Sequence, residues 1–543
     1  MAGVILETLS NRKLVAFGIS LLLLQITFFL LGALIAPAPS SVQQHLTTKC
    51  LDKGKHIHKS QWFYPRSKDP KDSCDSIDSF SDPRVKEEYF TTNQIVFAAQ
   101  MPHIRDNYEH KMHRWFQYMI GVLHLDITHT QENPHGESPQ LTLEVSLGYR
   151  NRDDPPDAWK LIDKSTETRS LVCNVNRTST DTEQHLDCEV IPLFELGSVH
   201  HDFYVLNLRL PVHDSKKQNI GFGFLNDVWL MEIHQNGGFT MVWFAIKTAV
   251  FPFVLAALVF YWNRVVKLER PSTLLERSLF GLGLTMTLLN LPLEWLTLSF
   301  NMPYMLLLTD IRQGIFYSML LCFWIIFCGE HMMDSVDRNR LTFYWRHLGA
   351  VGFGCICLFV FEMCERGVQL QNIFYSIWST DTGTKLALTF IILAGISGCV
   401  YFLFLCYMIY RVFRNISVKR GSLPQMSKAR RKYYAGLIYR FKFLMLVTLF
   451  CAAMTVIFFI ISQVSESHYK WGDENYLQYT SGFLTGVYGM WNLYVFSLLV
   501  FYAPSYKYVS APDEGSEGET VEFSQIPSET SALTSELRKE ATD

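Results

Sequence analysis

The chain has 543 residues, of which 49% are apolar and only 18% charged, whereas soluble domains carry roughly 25% charged residues. The formal net charge is -3, and no basic patch alternates with aromatics, so nucleic acid is not an expected partner. Forty Phe and twelve Trp suit membrane helices with aromatic girdles.

A short segment, 1–13, precedes the first long apolar run, 14–36, and ends in Arg12 and Lys13. A signal peptide would explain the charged start, but its apolar core is normally roughly 7–15 residues long. Pro37 and Pro39 also make a poor cleavage context. A retained transmembrane anchor over 14–36 is expected.

A polar block of 37–238 follows. Leu141, Leu143, Val145, Leu147 and Tyr149 alternate with Thr142, Glu144, Ser146, Gly148 and Arg150, and Tyr204, Leu206, Leu208, Leu210 and Val212 alternate likewise. Period-two patterning gives each strand one buried and one wet face. Runs at 94–102, 114–128 and 222–234 supply further strands, and an antiparallel β-sandwich is the natural solution. Cys50, Cys74, Cys173 and Cys188 all lie in this block, an even set that suits disulfides in an oxidising lumen. Of the three possible pairings, Cys50–Cys74 with Cys173–Cys188 closes short local loops. Asn176-Arg177-Thr178 is a glycosylation sequon. Fourteen of the 17 histidines also fall here. The adjacent His200 and His201 are the first candidates for a pH sensor, because neutral imidazoles at a bound interface would charge in acidifying compartments.

Seven more apolar runs follow, at about 239–262, 278–300, 303–329, 347–364, 385–410, 442–462 and 478–503, each near the roughly 20 residues that a span needs. Residues 411–442 hold ten Lys and Arg and no acid, whereas 301–302, 365–384 and 463–477 are poor in positive charge. The positive-inside rule then places the basic loops and both termini in the cytosol and 37–238 in the lumen. The expected fold class is therefore a multi-pass α-helical membrane protein of eight spans, 14–36 plus a bundle over 239–503, with a lumenal antiparallel β-sandwich. The tail, 504–543, is rich in Ser, Glu, Thr and Gly and is expected to be disordered.

No catalytic motif stands out: Walker, HExxH, DFG and GxSxG patterns are absent. His56 and His58 lack a nearby third ligand, so neither an enzyme nor a cofactor is expected. Charges at membrane depth default to function. Glu294, Asp310, Arg312, Gln313 and Tyr317 are candidates for a polar rim around a lumen-facing cavity, and the plainer alternative is interfacial anchors and ion pairs with Lys247, Glu362 and Lys385. Tyr434-Ala435-Gly436-Leu437 fits a tyrosine-x-x-bulky endocytic signal, which is read as an extended segment.

The stretches IHQNGGFT (233–240), DIRQGIFY (310–317), FCGEHMMD (327–334), MCERGVQL (363–370) and GMWNLYVF (489–496) resemble the Wntless family of cargo receptors, from the N-terminus to about residue 503. The resemblance implies a lumenal domain that binds acylated Wnt proteins and a helical bundle similar to a G-protein-coupled receptor, with the palmitoleoyl chain sheltered in a cavity of that bundle. It also implies recycling between the plasma membrane, endosomes, Golgi and endoplasmic reticulum through clathrin adaptors and retromer-type machinery, amid membrane lipids. Two departures matter. Ala435 stands where family members carry an acidic residue, and the retrieval-type Lys539-Glu540-Ala541 is followed here by Thr542-Asp543. A seven-helix signalling receptor with a cleaved leader is the alternative function.

Overall fold

The structure, a computed structural model, describes residues 4–53, 61–65, 74–80, 91–102, 110–130, 139–174, 183–213, 218–268, 270–332, 341–421, 442–451 and 474–505, with isolated positions between them. Asn176, Tyr434, Leu437, Lys539, Glu540, His56 and His58 lie outside the described residues.

Among the described residues, 40–235 form a β-domain with twelve strands: β1 (Ser40–Leu46), β2 (Thr48–Leu51), β3 (Asp75–Ile77), β4 (Ile95–Met101), β5 (Met119–Thr130), β6 (Gln140–Arg150), β7 (Lys160–Ser170), β8 (Cys173–Asn174), β9 (Glu183–Cys188), β10 (Ile191–Leu196), β11 (Phe203–Arg209) and β12 (Phe224–Gln235). One sheet runs β1-β12-β5-β9-β8, with β10 also paired to β5, and the other runs β3-β2-β4-β11-β6-β7. All pairings are antiparallel. Leu123, Leu125 and Leu230 from the first sheet meet Phe97, Leu143, Leu147 and Leu206 from the second in one core, the sandwich that the alternation implies.

In β6 the alternation is read directly, with Leu141, Leu143, Val145 and Leu147 buried. β11 departs from it, because all seven of its residues are buried. The face expected to be wet is covered by the segment around Phe63. Phe63 N donates to Asn207 Oδ1 (2.9 Å), and Asn207 Nδ2 donates back to Phe63 O (2.6 Å). Tyr64 and Trp159 pack on Phe203 and Val205, and Arg209 pairs with the buried Asp52 at 2.8 Å. The Cys50–Cys74 bond lies in the same outer layer, beside Phe63, Val96 and Ala98. The second bond joins Cys173 to Cys188 across paired strands.

The long helices among the described residues are α1 (Asn11–Leu30), α2 (Gly237–Val266), α3 (Leu274–Asn290), α4 (Met305–Met332), α5 (Leu341–Glu362), α6 (Asp381–Gly421), α7 (Lys442–Cys451) and α8 (Glu474–Phe501). Seven are long and apolar enough to cross a membrane; α7 is the described part of the remaining expected span. The run 278–300 is not one helix. Pro292 cannot donate a backbone hydrogen bond, α3 stops at Asn290, and a 3-10 turn covers Leu293–Leu298. At 41 residues, α6 is about 60 Å long, twice the hydrocarbon thickness of roughly 30 Å.

The domain joins the bundle through two adjacent strands. Ser40 of β1 is opposite Gln235 of β12, so α1 and α2 enter side by side. Asn236 caps α2 by accepting from Gly238 N (2.9 Å), and its own N–H donates to Pro39 O (3.0 Å). α1 then lies along α8 at short range. A Cβ at Gly32 would collide with the Thr485 hydroxyl, and one at Gly486 with the Phe29 ring. Small residues permit such an approach between membrane helices. Gln25 Nε2 donates to Gly486 O (2.9 Å) and Thr485 Oγ1 to Phe28 O (2.9 Å). Val4 bridges Pro504, so the start of the chain meets the end of α8 at the side of the bundle away from the domain.

The outer layer of the β-domain depends on the Cys50–Cys74 link. Replacing both residues by Ser should lower stability by about 3 kcal/mol, measured by denaturant unfolding under non-reducing conditions. An unchanged midpoint would show that the layer holds without it.

Candidate cargo site at the junction of domain and bundle

The break in α3 leaves its last carbonyls without helical partners. Arg312 on α4 answers them: Nε donates to Leu288 O (3.1 Å), and Nη2 donates to Leu289 O (2.5 Å) and Leu291 O (2.9 Å). A cation there also meets the negative end of the helix dipole. Just beyond the break, Glu294 accepts from Lys247 Nζ at 2.6 Å and stands 3.4 Å from Arg312 Nη1. The three side chains are only 4, 9 and 2% exposed for Lys247, Glu294 and Arg312. Lys247 is thus paired inside the bundle and does not snorkel. Glu294 Oε2 and Arg312 Nη1 make no hydrogen bond among the described residues. Deeper in, Tyr488 Oη donates to Asn290 Oδ1 (2.7 Å) and Asn290 Nδ2 to Asn492 Oδ1 (2.5 Å), which extends the polar core along α8.

Asp310 belongs elsewhere. It pairs with Arg366 at 2.9 Å, and the same guanidinium reaches Glu195 of β10 at 2.6 Å and Glu362 at 3.4 Å. The expected rim is therefore two clusters: Glu294 and Arg312 buried between helices, and Asp310 at the seam with the β-domain. Gln313 is exposed on α4, and the half-buried Tyr317 packs beside Phe316. Elsewhere on the seam, Arg114 Nη1 donates to Leu298 O (2.9 Å), Thr297 Oγ1 donates to Gln117 Oε1 (2.8 Å), and Trp115 packs on Phe244 and Trp295.

Packing is uneven along the helices that face this seam. On α4, every residue from 323 to 330 is buried, but only Arg312 and Phe316 are buried between 310 and 319. On α6, Tyr401, Leu405, Met408, Ile409 and Val412 are buried in the distal part, but only Ala387 and Ser397 between 381 and 400. The domain-proximal halves of these helices stand open while their distal halves are packed.

The histidine pair sits in the β-domain wall. His201 stacks on Tyr149 (3.7 Å between ring centroids), its Nδ1 lies 3.1 Å from Asn151 Oδ1, and its N–H and that of His200 both donate to Tyr204 Oη. Burial, reinforced by His200, pushes the His201 pKa down to about 4. Burial and Arg114 also lower that of His200. An imidazole with so low a value stays neutral through pH 7.2–5.5, which argues against His201 as the sensor. A more buried arrangement escaped the sequence reading: Glu232 lies between His45 Nε2 and His234 Nδ1, each at 3.0 Å. Burial would raise the Glu232 carboxyl, but the two histidines outweigh it and hold the carboxyl below its ordinary value. Arg366 with Glu195 and Asn290 with Asn492 are likewise not legible in the sequence, since each pair joins residues far apart along the chain.

Comparison with known proteins divides the chain where the structure does. Residues 48–235 match the model described as Wntless, GOLD domain, and 236–506 match Wntless-like, transmembrane domain. Protein wntless homolog A of Xenopus laevis is 51% identical over 510 residues, covering 94% of this chain and 92% of that protein. The chain belongs to the Wntless family. Protein wntless homolog of Homo sapiens is 50% identical over 513 residues, covering 93 and 92% of the two chains, and Protein wntless of Drosophila mojavensis is 49% identical over the full length of both. Wntless membership supports a role in Wnt secretion for a multi-pass membrane protein. The signalling-receptor alternative, which would lose α1, is not favoured.

Two outcomes follow for these groups. Glu294→Gln should destabilise the solubilised protein by about 3–5 kcal/mol, because Lys247 would stay buried without its counter-charge; Lys247→Met combined with Glu294→Leu should cost less than either single change. Thermal unfolding of Glu294→Gln, Lys247→Met, Glu294→Leu and the double variant checks this. For His201, a folded pKa below the unfolded value of 6.5 means stability that is full above pH 6.5 and lost as pH falls toward 4. His200→Gln with His201→Gln should therefore reduce the acid sensitivity of unfolding below pH 6. His201→Gln alone should leave the slope of a cargo-binding curve between about pH 7.2 and 5.5 unchanged; a flattened slope would restore His201 as the sensor.

Proposed function

We propose that this chain is a carrier that binds acylated Wnt proteins in the secretory pathway, shelters the acyl chain in the bundle and delivers the cargo for secretion before recycling. The observation that carries the reading is the uneven packing of α4 and α6, whose open halves lie beneath the β-domain. A 16-carbon chain in water carries a penalty of roughly 0.8 kcal/mol per methylene, about a dozen kcal/mol at the upper limit. A carrier needs an apolar slot next to a protein-binding surface, and the open halves of α4 and α6 beneath the β-domain support that reading. Arg312 answers the open backbone carbonyls beside that slot and Glu294 balances Lys247, while Gln313 and Tyr317 stand on its α4 wall.

The charge distribution supports the orientation. Residues 411–442 and the loops near Arg264 and Arg277 belong in the cytosol, as do both termini, and the β-domain belongs in the lumen. Tyr434 with Leu437 then serves as an endocytic signal for clathrin adaptors, and Lys539 with Glu540 as a retrieval signal, for a protein that cycles among plasma membrane, endosomes, Golgi and endoplasmic reticulum with retromer-type machinery. Asn176 would be glycosylated in the lumen.

Cargo without its acyl chain should bind at least a hundredfold more weakly, since even a quarter of the transfer energy is about 3 kcal/mol. Equal affinities for acylated and non-acylated Wnt would remove the slot from the bundle. Tyr434→Ala should slow the uptake of surface-labelled protein, and unchanged uptake would discard that signal.

A further inference from the structure

The loop joining α5 to α6 leaves the bundle and enters the sandwich. Phe374 is 0% exposed in the β-domain core, edge-on to Phe194 at 6.4 Å. The backbone of Ile373 and Phe374 is gripped from two strands. Arg169 Nη2 of β7 donates to Phe374 O (2.6 Å), Glu195 N of β10 donates to Ile373 O (3.0 Å), and Ile373 N donates to Asp163 Oδ2 of β7 (3.3 Å). Asn372 turns the chain inward, accepting from Phe374 N (2.9 Å) while its Nδ2 donates to Glu167 Oε1 (3.2 Å). Eight positions earlier, Arg366 ties Glu195 to Asp310 of α4 and Glu362 of α5.

The upper part of α6 has few other holds. Ser397 donates to Ala350 O on α5. The bundle holds α6 further down, where Tyr401 Oη donates to Leu321 O at 3.1 Å. The α5–α6 hairpin is therefore fixed at its cytosolic half by the bundle and at its lumenal end by the β-domain, with little between. One guanidinium touches α4, the end of α5 and the domain above them.

We propose that Phe374 and the Arg366–Glu195 pair form a clasp that positions the α5–α6 hairpin against α4 and so sets the width of the acyl slot, coupling the slot to whatever the β-domain holds. This rests on the slot reading above. Phe374 and Glu195 act as positioning residues: neither need touch the acyl chain, because a shift of the domain is passed to α6 through the loop.

The test uses full-length protein in nanodiscs, with Phe374→Ala and the milder Glu195→Gln. Spin labels at Gln313→Cys on α4 and Ile396→Cys on α6, in a Cys399→Ser, Cys406→Ser background, report the separation of the walls without cargo. Both clasp variants should broaden that distance distribution, and an unchanged distribution in both overturns the clasp. Affinities for an acylated Wnt protein and its non-acylated form provide the second arm. Phe374→Ala should weaken the acylated form at least tenfold and Glu195→Gln at least threefold, with the non-acylated form within twofold of wild type. Equal weakening of both forms would mean that the loop merely supports the fold, and would overturn the coupling. Absence of acyl preference in the wild type would fail the slot reading instead, while the distance arm would still decide the clasp. If Phe374→Ala does not fold, Glu195→Gln decides alone, because Glu195 is at the partly exposed edge of the junction.

Discussion

A helix that stops inside a membrane leaves carbonyls that no water can satisfy. Pro292 makes α3 stop there, and the arrangement around it follows from that constraint. Arg312 has to come from a neighbouring helix, which fixes the register of α4 against α3. Its positive charge, joined by Lys247, has to be balanced, and Glu294 lies directly after the break. One proline thus accounts for three buried charges that would otherwise be expensive. The cluster also keeps the domain-facing end of the bundle from closing into a simple apolar pack.

The same end receives the β-domain, by covalent and non-covalent routes. The covalent route is rigid, because α1 and α2 continue paired strands. Arg114 and Trp115 press on the turn after α3, on the side of those strands. The α5–α6 loop supplies the other attachment by lending a phenylalanine to the sandwich core. Two attachments on different helices constrain tilt as well as position, so a β-domain held in this way cannot rock without moving part of the bundle.

Much of this architecture is legible in the residue pattern. Alternation locates β6 and β11, hydropathy locates the spans, and short loops favour the disulfide pairing present in the structure. What the pattern misses has a common cause. Hydropathy runs through Pro292 because Leu293, Trp295, Leu296 and Leu298 are as apolar as a span, so the break is invisible to it. Composition cannot say that Phe63 and Trp159 cover the second face of β11, since the covering segments are distant in sequence. Asp310 reads like Arg312, two residues away, yet on a helix that spacing points them to different sides, and they join different clusters. His200 and His201 are visible as a pair, but the Tyr149 ring that buries one of them is contributed by another strand.

Phe374 is the sharpest case, because in a membrane protein an aromatic residue in a short loop is first read as an interfacial anchor. Its carbonyl and the C=O and N–H of Ile373 decide otherwise, since a residue lying in the headgroup layer would leave them to water. Here Arg169, Glu195 and Asp163 take them up one by one. That is how a buried backbone segment satisfies its polar groups, and it marks the loop as part of the sandwich. The helices on either side of the loop therefore share the domain's position, although their apolar surfaces pack little against the rest of the bundle at that level. A weakly packed pair of helices held by a strong polar grip can change its separation from α4 at small energetic cost, because few apolar contacts have to be broken. Walls of that kind would suit the acyl slot proposed above.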